Sequence, residues 1–303
     1  MSRVSMSRVA HVQEANIMIL VTGAAGKTGR TIIQALARRG ATVRAYVHHD
    51  TQVAAVRAVG ATDVLVGDLQ DAALLRQAMQ GIRALYHICP NMHPDEVTIG
   101  RQIIAAAQAA DVEHVVYHSV LHPQTEAMPH HWHKLRVEEL LCAAHLPFTI
   151  LQPAPYMQNL LAGWPTMRDQ GCYSIPYGAA TQLSLVDLED VGTVAAMVLT
   201  QPGHQGAIYE LVGTVGLTQT AVAASLAQAL GRPIQVEERS HAEWVRAARA
   251  NRVSDYAIDT LLKMFVYYNH YGLVGNPNLL GWLLGHPPTS LATFAQRVVG
   301  APS

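Results

Sequence analysis

Six short apolar runs, separated by five stretches with helical spacing, fill the first half of the chain. The pattern predicts strands at 17–21, 42–47, 63–66, 84–88, 114–117 and 148–151. It predicts helices at 28–39, 51–59, 72–79, 96–110 and 133–144. Strands that are apolar throughout are buried on both faces, and strands alternating with helices make a parallel sheet covered on both sides. Gly40 and Gly60 stand just past two of these helices, where a C′ glycine belongs. Asp71, directly before Ala72, is placed to cap the third.

After Leu151 the rhythm breaks. Pro153, Pro155, Pro165 and Pro176 punctuate a loop-rich stretch, followed by strands at 183–186 and 208–212 with a helix between them at 187–199. A capped helix at 218–230 closes on Gly231 and Pro233, and the remainder is mostly helical. Pro287, Pro288, Thr289 and Ser290 form a stop and an N-cap before a last helix at 291–299. The chain therefore reads as α/β, a doubly wound parallel sheet of Rossmann type with a smaller C-terminal lobe. Residues 16–155 plus about 182–214 form the larger domain, and about 156–181 with 215–303 form the lobe. Residues 1–15 repeat Met-Ser-Arg-Val, have no apolar h-region, and are expected to be a disordered arm.

The first predicted strand runs into Val21-Thr-Gly-Ala-Ala-Gly-Lys-Thr-Gly29, and a helical pattern starts at once with Ile32, Ile33 and Leu36. A strand, a tight turn and a helix N-terminus make an anion site, because unpaired N–H groups and the helix dipole converge there. Glycine lets the chain turn and lets a diphosphate approach the backbone. The spacing G-x-x-G-x-x-G differs from the G-x-G-x-x-G dinucleotide fingerprint and looks like that of the short-chain dehydrogenase/reductase superfamily.

Composition narrows the class. The chain has 303 residues, half of them apolar and 14% charged, with a formal net charge of -1. That balance offers no electrostatic footprint for nucleic acid or for an anionic membrane, and no apolar run is long enough to span one. Cys89, Cys142 and Cys172 are far apart and form no C-x-x-C pair, which fits reduced thiols in a cytoplasm. A cluster of His118, His122, His130, His131 and His133 lacks acidic or thiolate ligands at metal-binding spacing, so no metal is expected.

The chain resembles the NmrA-like family of atypical short-chain dehydrogenases/reductases over nearly all its length. The resemblance lies in the glycine turn, Val43 to Val47, Gly67-Asp-Leu69, His133-Lys134 with Arg136 to Leu140, and Leu151-Gln-Pro-Ala-Pro-Tyr-Met-Gln-Asn159. It continues in Val186 to Val191, in Gly275-Asn-Pro-Asn-Leu-Leu, and in Trp282 to Ser290. It implies an NADP-binding domain with the ligand held against a small lobe. It also implies one of two functions: NAD(P)H-dependent reduction of quinones or dyes, or cofactor sensing with little turnover.

Cofactor contacts are expected at Gly23, Ala25, Gly26, Lys27, Thr28 and Gly29 in the turn, and at Asp68 and Leu69 after the third strand. Ile88, Cys89 and Pro90 end the fourth strand, Ser119 follows the fifth, and Pro153 ends the sixth; all are expected to line the cofactor. After the second strand, where an acid would select NAD, stand His48 and His49. His48, with Lys27 supplying charge nearby, favours NADP over NAD. Typical superfamily members use a serine and a Tyr-x-x-x-Lys pair. Here Ser119 and Lys134 are in place, Lys134 being the ribose-binding lysine, but His130 stands where the tyrosine would be. His130 or His133 is a candidate acid, and water is an alternative proton source. Tyr156 is the candidate polar aromatic at the nicotinamide edge, with packing between the lobes as its bland alternative.

The expectation is an NADPH-dependent reductase of a planar electron-poor substrate (quinone, azo or other dye), acting as a monomer or homodimer. The alternative is a non-catalytic NADP(H)-sensing regulator. A sugar-nucleotide epimerase or dehydratase is disfavoured, since those enzymes rely on the tyrosine absent here.

Overall fold

The computed structural model describes residues 18–300, so the arm expected at 1–15 lies outside the described residues. Strands β1 (Met18–Val21), β2 (Thr42–Val47), β3 (Asp63–Val66), β4 (Ala84–His87), β5 (His114–His118) and β6 (Phe148–Pro153) come first. They alternate with helices α1 (Lys27–Arg38), α2 (Val53–Ala58), α3 (Ala72–Met79), α4 (Glu96–Ala109) and α5 (Pro129–Ala143). A 3-10 turn at Met157–Gly163 and α6 (Trp164–Gln170) lead to β7 (Cys172–Ile175), β8 (Gln182–Leu183) and α7 (Leu188–Thr200). Then follow β9 (Ala207–Leu211), β10 (Leu217–Thr218), α8 (Gln219–Leu230) and β11 (Gln235–Glu238). Four helices end the chain: α9 (His241–Ala250), α10 (Asp255–Tyr271), α11 (Asn278–Leu284) and α12 (Leu291–Gly300).

The main sheet has the order β3-β2-β1-β4-β5-β6-β9, and all its neighbouring strands run parallel. Strand order reverses between β1 and β4, which opens a crevice at their carboxyl ends. Ile32, Ile33 and Leu36 of α1 and Val191, Val194 and Val198 of α7 bury one face of the sheet. Leu75 and Met79 of α3, Ile99 and Ile103 of α4, and Val137 and Leu141 of α5 bury the other. A third cluster, with Met157, Met167, Tyr173, Leu226 and Phe294 fully or nearly buried, is the core of the smaller lobe.

Asp71 caps α3 as expected, accepting from the N–H groups of Ala73 and Leu74 at 2.9 and 3.1 Å. Gly40 and Gly60 have φ of +75° and +112°, the left-handed region that suits glycine after a helix. Two expectations are corrected, and one pairing is new. The helix expected at 133–144 starts at Pro129, because a proline at the first helical position is preorganised and loses no hydrogen bond. The strand expected at 183–186 is only the two-residue β8, antiparallel to β10, with Val186 bridged singly to Tyr156. A parallel pair, β7 with β11, was not anticipated. Its second strand reads Gln-Val-Glu-Glu and has a single apolar residue, Val236, too little to signal a strand.

Candidate cofactor crevice

Directly after β1 stands Thr22, whose hydroxyl accepts from the Ile88 N–H at 2.9 Å and also meets His87 Nδ1 at 2.9 Å. This ties the ends of β1 and β4 together at the switch point. Gly23 then turns with φ +59°, and a Cβ there would sit 2.9 Å from the Ile88 carbonyl oxygen. A Cβ on Gly29 would sit 2.4 Å from the Gly23 oxygen and 2.6 Å from Ala24 Cα, so the helix meets the turn at a distance only glycine permits. Gly26 differs. It has φ -68° and ψ 164°, and its Cβ would meet nothing nearer than the Gly23 oxygen at 3.4 Å.

Gly26 is the N-cap of α1 and offers no side-chain cap, and the first turn contains no acid. The Gly26 N–H bonds the Gly23 oxygen and the Arg30 N–H bonds the Gly26 oxygen. Among the described residues the N–H groups of Lys27, Thr28 and Gly29 have no such acceptor, which leaves them and the helix dipole for an anion.

A cavity of about 1000 Å³ opens over this turn. It brings together all the residues expected to meet the cofactor: the turn from Gly23 to Gly29, His48, Asp68, Leu69, Ile88, Cys89, Pro90, Ser119, Lys134, Pro153 and Tyr156, with His130 beside them. His48 is exposed at one end. Asp68, also exposed, accepts from the Gln70 N–H at 2.9 Å in a local turn. His133 is not part of the lining; its ring lies 3.4 Å from the Tyr256 hydroxyl.

The structure corrects several expected roles. Lys27 does not reach toward His48. Its ammonium donates to Asn159 Oδ1 at 2.6 Å and lies 5.8 Å from the centre of the Tyr156 ring, so its charge sits on the β6 side. The Ser119 hydroxyl is turned away from the crevice and donates to Glu138, which Gln152 also holds at 2.9 Å. Burial, followed by the charges of its neighbours, pushes the pKa of His130 down to about 2, so its ring is neutral and a poor general acid near neutrality.

Sequence reasoning missed the polar network below these residues. Lys134 donates to the buried Glu96 at 2.7 Å, and Glu96 also accepts from the Tyr117 hydroxyl at 3.0 Å. Alongside, the Tyr86 hydroxyl meets His118 Nδ1 at 2.7 Å, and His118 Nε2 meets the Tyr156 hydroxyl at 2.5 Å. Burial and then the Lys134 charge push the pKa of His118 down to about 3, and burial pushes Tyr156 up to about 12. His131 Nδ1 is 3.1 Å from the His122 carbonyl, so it carries the proton; Nε2 is left as a buried acceptor without a partner. Over the crevice lie Leu261, Met264 and Tyr268 of α10. Their spacing of three, four and seven was the one available signal.

The donor set fits a dinucleotide. Three free N–H groups face a position that no side chain fills, and the cavity is at the upper end of the range of about 300–1,000 Å³ seen for small-molecule sites. Among the described residues, no group of three or more His, Cys, Asp or Glu side chains is arranged to hold a metal ion.

Comparison with known proteins agrees with this geometry. Quinone oxidoreductase 2 of Escherichia coli strain K12 is 30% identical over 279 residues, covering 91% of this chain and 96% of that protein. The NAD(P)H azoreductase of Xenophilus azovorans is 26% identical over 289 residues, covering 94% and 99%. The crystal structure of the NADPH-dependent quinone oxidoreductase of Escherichia coli complexed with NADPH matches with a TM-score of 0.80 at 28% identity. It covers 93% of this chain and 99% of that one. The model of the NmrA-like family matches residues 15–293, and the chain belongs to that family, among the atypical short-chain dehydrogenases/reductases.

Proposed function

We propose that the protein is an NADPH-dependent oxidoreductase that reduces a planar, electron-poor organic acceptor, a quinone or an azo or other dye. The carrying observation is that one cavity joins the anion-binding turn to Lys134 and Tyr156 beneath an apolar roof. The likeness to a quinone oxidoreductase and an azoreductase over almost the whole chain supports it.

The Lys27, Thr28 and Gly29 N–H groups would hold the diphosphate, with Asp68 and Leu69 at the adenine and His48 at the 2′-phosphate. Lys134, steadied by Glu96, would hold the nicotinamide ribose. When bound, NADPH supplies a hydride to the acceptor. Leu261, Met264 and Tyr268 exclude water from that face and leave room for a flat ring, so proximity and orientation provide most of the acceleration. The neutral His130 and His131 rings line the same end and serve as hydrogen-bonding groups, not as charged acids.

Among the described residues no helix is long and apolar enough to cross a membrane, and Cys89, Cys142 and Cys172 are free thiols. We place the protein in the cytoplasm, as a monomer or homodimer. The test is loss of NADPH absorbance against a panel of quinones, azo dyes and triphenylmethane dyes. Acceptor-dependent oxidation supports the reading. Tight NADPH binding with no turnover across the panel refutes it and leaves a cofactor sensor.

A further inference from the structure

We propose that His118 fixes Tyr156 as the proton donor of the crevice, which suits the site to quinones, acceptors that take a proton on oxygen as they are reduced. This rests on the oxidoreductase reading above. It adds a residue, a proton path and a narrower substrate class.

The argument starts at Tyr86. Its side chain is fully buried, and among the described residues its hydroxyl has one hydrogen-bond partner, His118 Nδ1 at 2.7 Å. If Nδ1 carried the imidazole proton, the Tyr86 proton would have no acceptor, and leaving a buried donor without a partner is costly. Tyr86 therefore donates to Nδ1. His118 is itself buried, and its neutral ring has a single proton, which must then be on Nε2. At 2.5 Å from Nε2 stands the Tyr156 oxygen, which accepts that proton. The phenolic proton of Tyr156 is consequently free to point elsewhere. Tyr156 is only partly buried, and it lines the crevice. The Thr28 side chain in the glycine turn, beside it, draws its pKa down against the effect of burial, and a substrate oxygen entering there accepts the phenolic proton.

The chemistry balances. The hydride supplied by NADPH puts two electrons on the quinone and becomes one hydrogen of the hydroquinone. As negative charge develops on a ring oxygen, the Tyr156 O–H bond breaks and a hydroquinone O–H bond forms. The resulting tyrosinate is held by the His118 Nε2–H and regains a proton from water after product leaves. The sum is quinone, NADPH and one proton giving hydroquinone and NADP⁺. A cationic triphenylmethane dye takes the hydride on carbon and needs no proton. Tyr156 thus occupies a different place in the fold from the tyrosine of Tyr-x-x-x-Lys, and His118 acts as its positioning residue.

Two measurements test this. In the first, ¹⁵N-histidine NMR of the cofactor-free protein, with His118 assigned through His118→Gln, should show the Nε2–H tautomer. An Nδ1–H tautomer overturns the proposal. The second compares 1,4-naphthoquinone with crystal violet as acceptors. Tyr156→Phe should lower kcat for the quinone about 100-fold more than for the dye, since general-acid catalysis contributes about 10²–10⁴. His118→Leu should follow Tyr156→Phe, and His118→Gln, which keeps an N–H donor, should recover most of the loss. Equal losses on both acceptors overturn the proposal alone. A wild type that reduces neither acceptor overturns the oxidoreductase reading and the proposal together.

Discussion

Replacing Gly26 by alanine separates cofactor binding from folding at a single methyl group. The backbone there, at φ -68° and ψ 164°, is one that alanine adopts freely, and the new Cβ meets only the Gly23 oxygen at 3.4 Å. The folded protein is therefore unstrained, and the unfolded chain loses freedom, which stabilises by about 0.4–1 kcal/mol. At about 2–4 °C per kcal/mol for a protein of this size class, Tm should rise by roughly 1–4 °C. Gly26 also lines the crevice, so the methyl is added beside the free N–H groups of Lys27, Thr28 and Gly29. Displacing a diphosphate from even one of these removes a charge-assisted hydrogen bond of about 1.5–3 kcal/mol. That is about 10–100-fold in Kd at 1.4 kcal/mol per decade. Thermal unfolding and NADPH fluorescence titration on one preparation read both effects. Wild-type NADPH affinity in Gly26→Ala would refute the placement of the diphosphate at this turn. Gly29→Ala is the contrast: its Cβ would lie 2.4 Å from one backbone atom and 2.6 Å from another. Overpacking of that kind costs about 1–3 kcal/mol, so Tm should fall by several degrees.

Three further outcomes are expected. Lys134→Met leaves Glu96 buried and unpaired, at a cost of about 3–5 kcal/mol; adding Glu96→Gln should recover most of the lost stability in urea unfolding, while NADPH affinity stays reduced. A double variant that binds NADPH as the wild type does would dismiss the ribose role of Lys134. His48→Arg places a bidentate, permanently charged group at the β2 end and should raise the NADPH-over-NADH ratio of affinities about tenfold or more; an unchanged ratio would move the 2′-phosphate elsewhere. Stability should fall on acidification. His87, His118, His130 and His131 have pKa values pushed down to about 3, 3, 2 and 4. Between those values and the unfolded value of about 6.5, the unfolded chain binds more protons, so each ring withdraws up to about 1.4 kcal/mol per pH unit as pH drops. Glu138 and Asp190, whose pKa values burial raises, act in the opposite sense, but they are outnumbered by these four rings together with His114 and His204, which burial also depresses. Tm at pH 5 should lie at least about 5 °C below Tm at pH 7; equal values would mean that these rings are solvated.

The parts of the molecule legible in the sequence are those where local pattern and tertiary role coincide. β1, the glycine turn and α1 form a contiguous unit whose chemistry depends on neighbours in sequence, so reading Gly23, Gly26 and Gly29 placed the turn correctly. The α3 cap at Asp71 was readable for the same reason. What could not be read depends on pairing across long separations. Glu96 looks like an ordinary acid at the start of α4, yet it is buried against Lys134, 38 residues later. Lys27 looked like a charge for the cofactor phosphate, but Asn159, 132 residues away, holds its ammonium. His118 was visible only as one member of a histidine-rich stretch. Its significance comes from Tyr86 on a neighbouring strand and Tyr156 beyond the next, and the β4-β5-β6 order decides that meeting.

The same network explains how an end of the crevice so rich in basic residues stays close to neutral. Burial keeps the rings of His118, His130 and His131 uncharged, and the nearby Lys134 charge pushes each of them the same way. The Lys134 charge is in turn matched by Glu96 at 2.7 Å. Protonating a buried ring would cost twice over, once in desolvation of the ring and once in its repulsion from the ammonium. The phosphate end works by different means, through backbone N–H groups whose charge is partial and fixed. The turn is therefore suited to an anion, and the space between Tyr156 and the apolar side chains of α10 to a flat neutral ring. A crevice with one polar end and one nearly uncharged end has a built-in direction, and that direction sets which end of a dinucleotide lies beside the acceptor.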